Sequence, residues 1–93
     1  MDNFIHGYAE YYWFGQKKYQ GEWALNKMEG QGMMVWDDGR SYQGGYVNDK
    51  MEGKGTFLYP NGDTFTGLWR NNKKNGRGEY LEANGKVIKG VWY

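Results

Sequence analysis

The sequence contains no cysteine and only one histidine, one serine and one proline in 93 residues. The absence of cysteine excludes disulfide bonds, thiolate zinc sites and cysteine nucleophiles. His6 and Ser41 stand alone in the sequence, and no motif for a Ser-His-acid triad surrounds them. We therefore predict that the chain is not an enzyme and has no catalytic residues, no metal site and no cofactor.

Two segments with suggestive composition also lack the rest of their motif. Asp37-Asp38-Gly39 pairs two carboxylates, but Asn48 stands where a calcium loop counted from Asp37 would need its bidentate glutamate. Gly30-Gln31-Gly32 precedes a predicted strand rather than a helix. It is therefore not a phosphate-binding loop.

Long apolar runs and a charge excess are missing as well. No apolar run approaches the roughly 20 residues of a membrane-spanning helix, and Met1-Asp2-Asn3-Phe4 lacks the features of a signal peptide. A formal net charge of +1 creates no overall field that would attract nucleic acid. We predict a cytoplasmic chain of at most one domain, either complete or part of a larger protein, with no nucleic-acid partner.

Glycine and aromatic residues, in contrast, are abundant and recur at a fixed spacing. The chain has 16 glycines, and aromatic residues make up 19% of it. A shift of 23 residues superimposes four columns: Tyr19, Tyr42, Phe65 and Ile88; Gly21, Gly44, Gly67 and Gly90; Trp23, Tyr46, Trp69 and Trp92; and Gly7, Gly30, Gly53 and Gly76. A period of about 20–50 residues indicates a repeat array.

Each repeat is predicted to consist of two strands and two tight turns. Alternation of large or glycine residues with polar residues is typical of strands. Asn and Asp tolerate the positive φ of two-residue hairpin turns, which we place at Leu25-Asn26, 48–49 and 71–72. A half repeat at 1–18 precedes full repeats at 19–41, 42–64 and 65–87, and 88–93 is the first strand of a further repeat. The predicted fold is all-β, a single-layer meander of about eight antiparallel strands.

The turn lengths also predict a strand register. With Leu25 and Asn26 as loop residues, the expected facing pairs are Trp23–Met28, Gly21–Gly30 and Tyr19–Gly32. The Asp38-Gly39 turn must hold an odd number of residues to keep the aromatic residues on one face, and a three-residue loop with glycine at its positive-φ position would suit. The pairs expected across it are Tyr42–Trp36, Gly44–Met34 and Tyr46–Gly32. In this register, large rings lie opposite glycines.

One face of the predicted sheet carries most of the aromatic side chains. The residues expected to grip an extended or helical peptide are Tyr19, Trp23, Trp36, Tyr42, Tyr46, Tyr59, Phe65, Trp69 and Trp92. Two interpretations remain open, because a single-layer sheet has little else to bury and the same rings can simply form the core. Both can hold if only some of the rings are covered.

The only basic cluster lies at the tip of the third full repeat. It comprises Arg70, Lys73, Lys74 and Arg77. Basic side chains near a membrane surface attract anionic phospholipid headgroups by about 1 kcal/mol each. The alternative is a solvated turn with no ligand.

The repeat pattern resembles a known family. Tyr19-Gln20-Gly21-Glu22-Trp23, followed by Met28-Glu29-Gly30-Gln31-Gly32, and the equivalent segments of the next repeats are similar to the MORN (membrane occupation and recognition nexus) repeat. Four positions depart from the pattern: Ala9 for glycine, Ile88 for an aromatic residue, Tyr46 for tryptophan and Gly15, shifted by one residue.

The resemblance implies an elongated, twisted single-layer sheet of consecutive β-hairpins. It also implies a noncatalytic protein-binding or scaffolding module in a eukaryotic cytoskeletal, ciliary or membrane-associated assembly. The alternative that it implies is a phospholipid-targeting or regulatory module of a larger enzyme, such as a phosphatidylinositol phosphate kinase. Open edge strands add the expectation of self-association.

Overall fold

The structure, a computed structural model, describes residues 7–93, so His6 and the start of the predicted half repeat lie outside the described residues. Eight strands form one sheet in sequence order, and each strand is antiparallel to its neighbours. They are β1 (Gly7–Trp13), β2 (Lys17–Ala24), β3 (Lys27–Trp36), β4 (Ser41–Val47), β5 (Lys50–Leu58), β6 (Thr64–Arg70), β7 (Lys73–Leu81) and β8 (Val87–Trp92). The sheet measures 52 × 27 × 17 Å, and the predicted all-β single-layer fold is confirmed.

Two kinds of tight turn alternate along the sheet. Positive φ angles occur at both residues of the two-residue turns: Leu25 and Asn26 (51° and 67°), Asn48 and Asp49 (54° and 69°), and Asn71 and Asn72 (57° and 69°). These angles define type I′ turns, whose twist matches that of the flanking strands. The three-residue turns end on Gly39, Gly62 and Gly85, with φ of 102°, 95° and 98°. Both predicted turn types are confirmed.

The predicted register holds only next to the two-residue turns. Trp23 faces Met28 as expected, but Gly21 faces Gly32 rather than Gly30, and Tyr19 faces Met34 rather than Gly32. The cause is a bulge, in which the single residue Glu22 lies opposite the three residues 29–31. Because the bulge adds two residues, each side chain stays on its predicted face.

The same two-residue error affects the next strand pair. Tyr42 faces Met34, Gly44 faces Gly32 and Tyr46 faces Gly30, so the pairs expected across this turn are wrong. The Trp36 N–H donates to the Arg40 carbonyl at 2.9 Å, which closes the loop after only three residues. The loop therefore consists of residues 37–39 and is not centred on Gly39 as the predicted pairs require, so the partner of Tyr42 on β3 lies two residues further from the turn than predicted.

The corrected register aligns small residues in a row across all eight strands. The row consists of Ala9, Gly21, Gly32, Gly44, Gly55, Gly67, Gly78 and Gly90. Rings from three even-numbered strands lie over this row. A Cβ atom added to Gly32 would be 2.1 Å from the Tyr19 hydroxyl, and one added to Gly55 would be 2.2 Å from the Tyr42 hydroxyl. The expectation that glycines make room for rings is therefore right, although the facing pairs are different.

The core is a continuous series of edge-to-face ring contacts on this side of the sheet, which we call the ring face. In order, the rings are Trp23, Tyr19, Tyr46, Tyr42, Trp69, Phe65 and Trp92. Their centroids are 4.8–5.6 Å apart. Such contacts are worth about 0.5–1.5 kcal/mol each beyond area burial. Contacts within one strand alternate with contacts between successive repeats along this series, so the repeats stabilise one another.

Hydrogen bonds at the hairpin tips also join adjacent repeats. The Met28 N–H donates to the Asp49 carboxylate at 2.8 Å, and the Asp49 N–H donates to the Met28 carbonyl at 3.2 Å. Met51 and Asn72 repeat both contacts at 2.9 and 3.2 Å. The second turn residue therefore has two roles: it adopts positive φ, and its side chain binds the preceding tip.

Tyr46 offers a direct test of this core. Its hydroxyl is buried without a hydrogen-bond partner among residues 7–93, whereas Trp23 and Trp69, in the same column, donate their indole N–H to the carbonyls of Ala9 and Gly55. Tyr46→Phe removes a desolvated polar group. We expect the free energy of unfolding to rise by up to about 1 kcal/mol, measured by urea denaturation. A decrease of similar size in the free energy of unfolding would show that the Tyr46 hydroxyl makes a stabilising interaction.

Candidate partner-binding face

The structure divides the nine predicted partner-binding residues into two groups. Six of them are buried core residues: Tyr19, Trp23, Tyr42, Tyr46, Phe65 and Trp69. Trp36, Tyr59 and Trp92 are half-buried and pack against that core from its edges. In this fold, a binding partner can therefore contact these three rings directly, while the other six form the core against which the three rings pack. The binding role of all nine stays a prediction.

The three half-buried rings line one open groove on the ring face. Its volume is ≈ 490 Å³. Phe57 lies at its floor, with ring centroids 5.6 Å from Trp36, 4.8 Å from Tyr59 and 5.8 Å from Trp69. Rings that are held on a rigid sheet lose little conformational freedom when a ligand binds, which favours affinity.

Cations lie over several rings of this face. The Lys74 ammonium is 5.0 Å from the Tyr59 ring, 5.1 Å from Phe65 and 5.8 Å from Tyr80. The Arg40 guanidinium is 5.0 Å from the Trp36 ring. All four distances are typical of cation–π contacts. Together with Lys73, these are the charged side chains that line the groove within residues 7–93, and all three are basic.

Sequence reasoning missed Arg40 and Lys17 as members of this face. Lys17 lies 5.0 Å from the Trp13 ring, as Arg40 does from Trp36. A signal was present, because each basic residue precedes a tyrosine of the repeat column by two positions. The sequence analysis places Lys74 only in the basic tip. Its equivalence to Met28 and Met51 of the earlier repeats is the signal that it lies on the ring face.

Acidic groups near the groove are already bonded. The Arg40 guanidinium donates to Asp38 at 2.8 Å and lowers the pKa of that carboxyl. The Tyr80 hydroxyl donates to Asp63 at 2.7 Å. This bond raises the pKa of Tyr80 to about 12 and lowers the pKa of Asp63. Both carboxylates are therefore ionised at neutral pH and held at the turns.

The four basic residues predicted to bind lipid do not form one surface. Arg70 faces Lys73 beside the turn, and Lys74 lies on the ring face. Arg77 lies on the opposite face, because strand residues three apart point in opposite directions. There it borders a hollow of ≈ 710 Å³ together with Lys54 and Lys89. The predicted lipid role is untested, but its geometry differs from that of a single basic tip.

Between Gly7 and Tyr93, no three His, Cys, Asp or Glu side chains are grouped so that they could hold a metal ion. Within the same residues, no helix is long and apolar enough to cross a membrane.

Comparison with known protein families identifies the repeat. The MORN repeat family matches residues 1–15, 19–39, 42–64 and 65–87. No curated protein matches the chain. MORN repeats form a noncatalytic repeat module that generally binds membranes or proteins. Since the matched segments cover most of the sequence and the sheet consists of the corresponding hairpins, the chain belongs to the MORN repeat family.

Proposed function

We propose that the chain is a noncatalytic protein-binding module that holds a peptide segment of its partner along the groove of the ring face. The observation that carries this proposal is the position of Trp36, Tyr59 and Trp92. These rings are half-buried above a core of covered aromatic residues. Exposed aromatic residues on a rigid support are typical of binding surfaces.

The lining of the groove indicates the chemistry of the partner. Met51, Phe57 and the three rings provide apolar contacts, and Arg40, Lys73 and Lys74 provide positive charge. A segment that combines apolar anchor residues with Asp or Glu complements both features, because opposite charges steer association and fix register. An extended strand or one face of a helix can present such a pattern.

The biological setting that we propose is a scaffold of a eukaryotic cytoskeletal, ciliary or membrane-associated assembly in the cytoplasm. A repeat sheet suits this role because it is long, and its hairpins present equivalent surfaces at regular intervals. The sheet extends over 52 Å, which leaves room for a partner segment of several residues on the ring face.

Selection from a random-peptide display library tests the proposal. The parent chain is expected to enrich peptides that contain apolar residues together with Asp or Glu. Trp36→Ala/Tyr59→Ala removes the contact rings from the rim and leaves the six covered rings in place. We expect the selected peptides to bind this variant at least about thirtyfold more weakly, as for other binding hot spots.

A matched control is available on the opposite face. Val35 and Leu58 are 40% and 39% exposed there, so Val35→Ala/Leu58→Ala removes a similar number of exposed apolar side chains. This control is expected to bind like the parent, and circular dichroism must show that both variants remain folded. Equal binding by all three chains would refute the proposal.

A phospholipid-targeting role is the second candidate, and the observation that favours it is the hollow in which Lys54, Arg77 and Lys89 outnumber the single carboxylate, Glu79. These side chains lie on the face opposite to the groove. Binding to vesicles of anionic phospholipid that survives Trp36→Ala/Tyr59→Ala but disappears when the three cations are replaced by glutamine would favour this candidate over the first.

A further inference from the structure

The outer strands of the described sheet are β1 and β8. They correspond to two different strands of the repeat, and these two strands pair with each other inside the sheet. β8 is equivalent to β2, β4 and β6, whereas β1 is equivalent to β3, β5 and β7. In the interior of the sheet, every even-numbered strand pairs with the following odd-numbered strand. An outer strand carries unpaired backbone groups that can bind another strand.

Two departures from the repeat pattern lie on these two strands. Ile88 stands in the column that otherwise contains Tyr19, Tyr42 and Phe65, and Ala9 stands in the row that otherwise contains glycine. The residue in the aromatic column determines which residue fits in the glycine row of the next strand. Wherever a ring of the column lies over the next strand, a Cβ atom at the row position would be 2.1–2.3 Å from that ring.

This coupling makes the two departures compatible with each other. Isoleucine is branched at Cβ and ends after two further carbons, so Ile88 cannot cover the next strand as a tyrosine does. An alanine is therefore tolerated beside Ile88, while it would collide with Tyr19, Tyr42 or Phe65. Within one copy of the chain the two residues lie on opposite outer strands and never meet.

We propose that β8 of one copy pairs with β1 of a second copy, in the register that β2 and β3 have within the chain. Within the chain, β2 and β3 form the pairs Gly21–Gly32, Gln20–Met33 and Tyr19–Met34. Each β2 residue is replaced by its equivalent three repeats later, and each β3 residue by its equivalent one repeat earlier. The resulting contacts are Gly90–Ala9, Lys89–Glu10 and Ile88–Tyr11 between copies.

The remaining features of both edges fit this register. Lys89 meets Glu10, an opposite-charge pair of the kind that stabilises neighbouring strands; Glu10 also binds Lys18 of its own copy at 3.2 Å. Gly7 already has φ of 84°, close to the 88° and 76° of Gly30 and Gly53 at the interior bulges. The outer edge of β1 therefore carries the backbone conformation that an interior strand uses to receive its neighbour.

The contact joins different surfaces of the two copies, so one copy of a bound pair still offers a free β1 and the other a free β8. Heterologous contacts of this type generate chains of copies unless the geometry closes a ring. The ring face would continue from one copy to the next. This inference goes beyond the proposed peptide binding and does not depend on it.

Sedimentation of the 93-residue chain over a range of concentrations tests the inference. We expect the average mass of the parent to increase with concentration beyond that of a dimer. Ile88→Tyr places a ring over the row position of the next copy, where Ala9 obstructs it. We expect its association to weaken by about tenfold or more, because overpacked contacts are costly.

The compensating variant makes the test specific. In Ile88→Tyr/Ala9→Gly, the new ring meets a glycine as in the interior of the sheet, so association should recover to the parent level. Ile88→Tyr should itself remain folded, because Gly90 on its own strand leaves the same space that Gly21 leaves for Tyr19. Circular dichroism checks this point.

Three results would overturn the inference. The first is a parent chain that stays monomeric up to about millimolar concentration, where interactions of only about 4 kcal/mol become visible. The second is association that stops at dimers, since pairing between two copies of the same edge closes at that size. The third is a double variant that associates as weakly as Ile88→Tyr.

Discussion

Replacing Gly55 by alanine is expected to lower the free energy of unfolding by about 3 kcal/mol or more, the upper end of the usual cost of overpacking. The added Cβ would lie 2.2 Å from the Tyr42 hydroxyl and 2.4 Å from its ring carbon Cε1. Tyr42 has no exposed surface and is held by Tyr46 and Trp69, so it cannot move aside without disrupting the ring series. Domains are stable by only about 5–15 kcal/mol, and the loss is a large fraction of that.

Gly90→Ala is the matched control for this prediction. Gly90 belongs to the same glycine row, but its nearest side-chain neighbour, Trp92, would be 3.8 Å from the new Cβ. We expect the free energy of unfolding to change by less than about 1 kcal/mol. Urea denaturation followed by circular dichroism in dilute solution measures both variants. Equal losses at Gly55 and Gly90 would show that the rings do not impose glycine on the row.

A rise of pH above 10 is expected to unfold the sheet. Burial raises the pKa of Tyr19 to about 12 and that of Tyr42 to about 12, and it also raises the pKa of Tyr46. In the unfolded chain, tyrosine loses its proton near pH 10. Between about pH 10 and 12 the unfolded state therefore binds fewer protons than the folded state, so stability falls with rising pH. Below about pH 10 this contribution to stability is fully present.

The urea midpoint measured at intervals from about pH 8 to pH 12 tests this prediction. Tyr42→Phe removes one of the buried hydroxyls, and Phe65 shows that phenylalanine is accepted in this column. The decline of the midpoint with pH should therefore be less steep in Tyr42→Phe than in the parent. A midpoint that stays constant through this range would mean that the tyrosines are not protected in the folded state.

Much of the fold could be predicted from the sequence because every repeat supplies the same signals. Asn and Asp at the turns and glycines in register with rings define strand order and the face of each side chain. The bulge opposite Glu22 was missed because it shifts the pairing by two residues and leaves the faces unchanged. The signal available in the sequence is the glycine that recurs at this position of each repeat, since Gly30 adopts positive φ at the bulge.

The candidate site was predicted less well, since exposure depends on neighbouring repeats. Tyr19 and Tyr42 are covered by Tyr46 and Trp69, each of which comes from the next repeat. No periodic pattern distinguishes such rings from Trp36 at the rim. The position of the basic cluster at one end of a repeat does not show which face each cation occupies, because strand alternation continues through Lys74 and Arg77 and divides them between faces.

The most direct test of the proposed function is an NMR titration of the tryptophan indole N–H signals with the tightest-binding selected peptide. Trp36 and Trp92 line the groove, whereas the indole of Trp23 is buried outside the groove and donates to a backbone carbonyl. We predict that the Trp36 and Trp92 signals shift on binding and that the Trp23 signal does not. Shifts confined to the backbone amides of Thr66, Arg77 and Lys89, on the opposite face, would contradict the account.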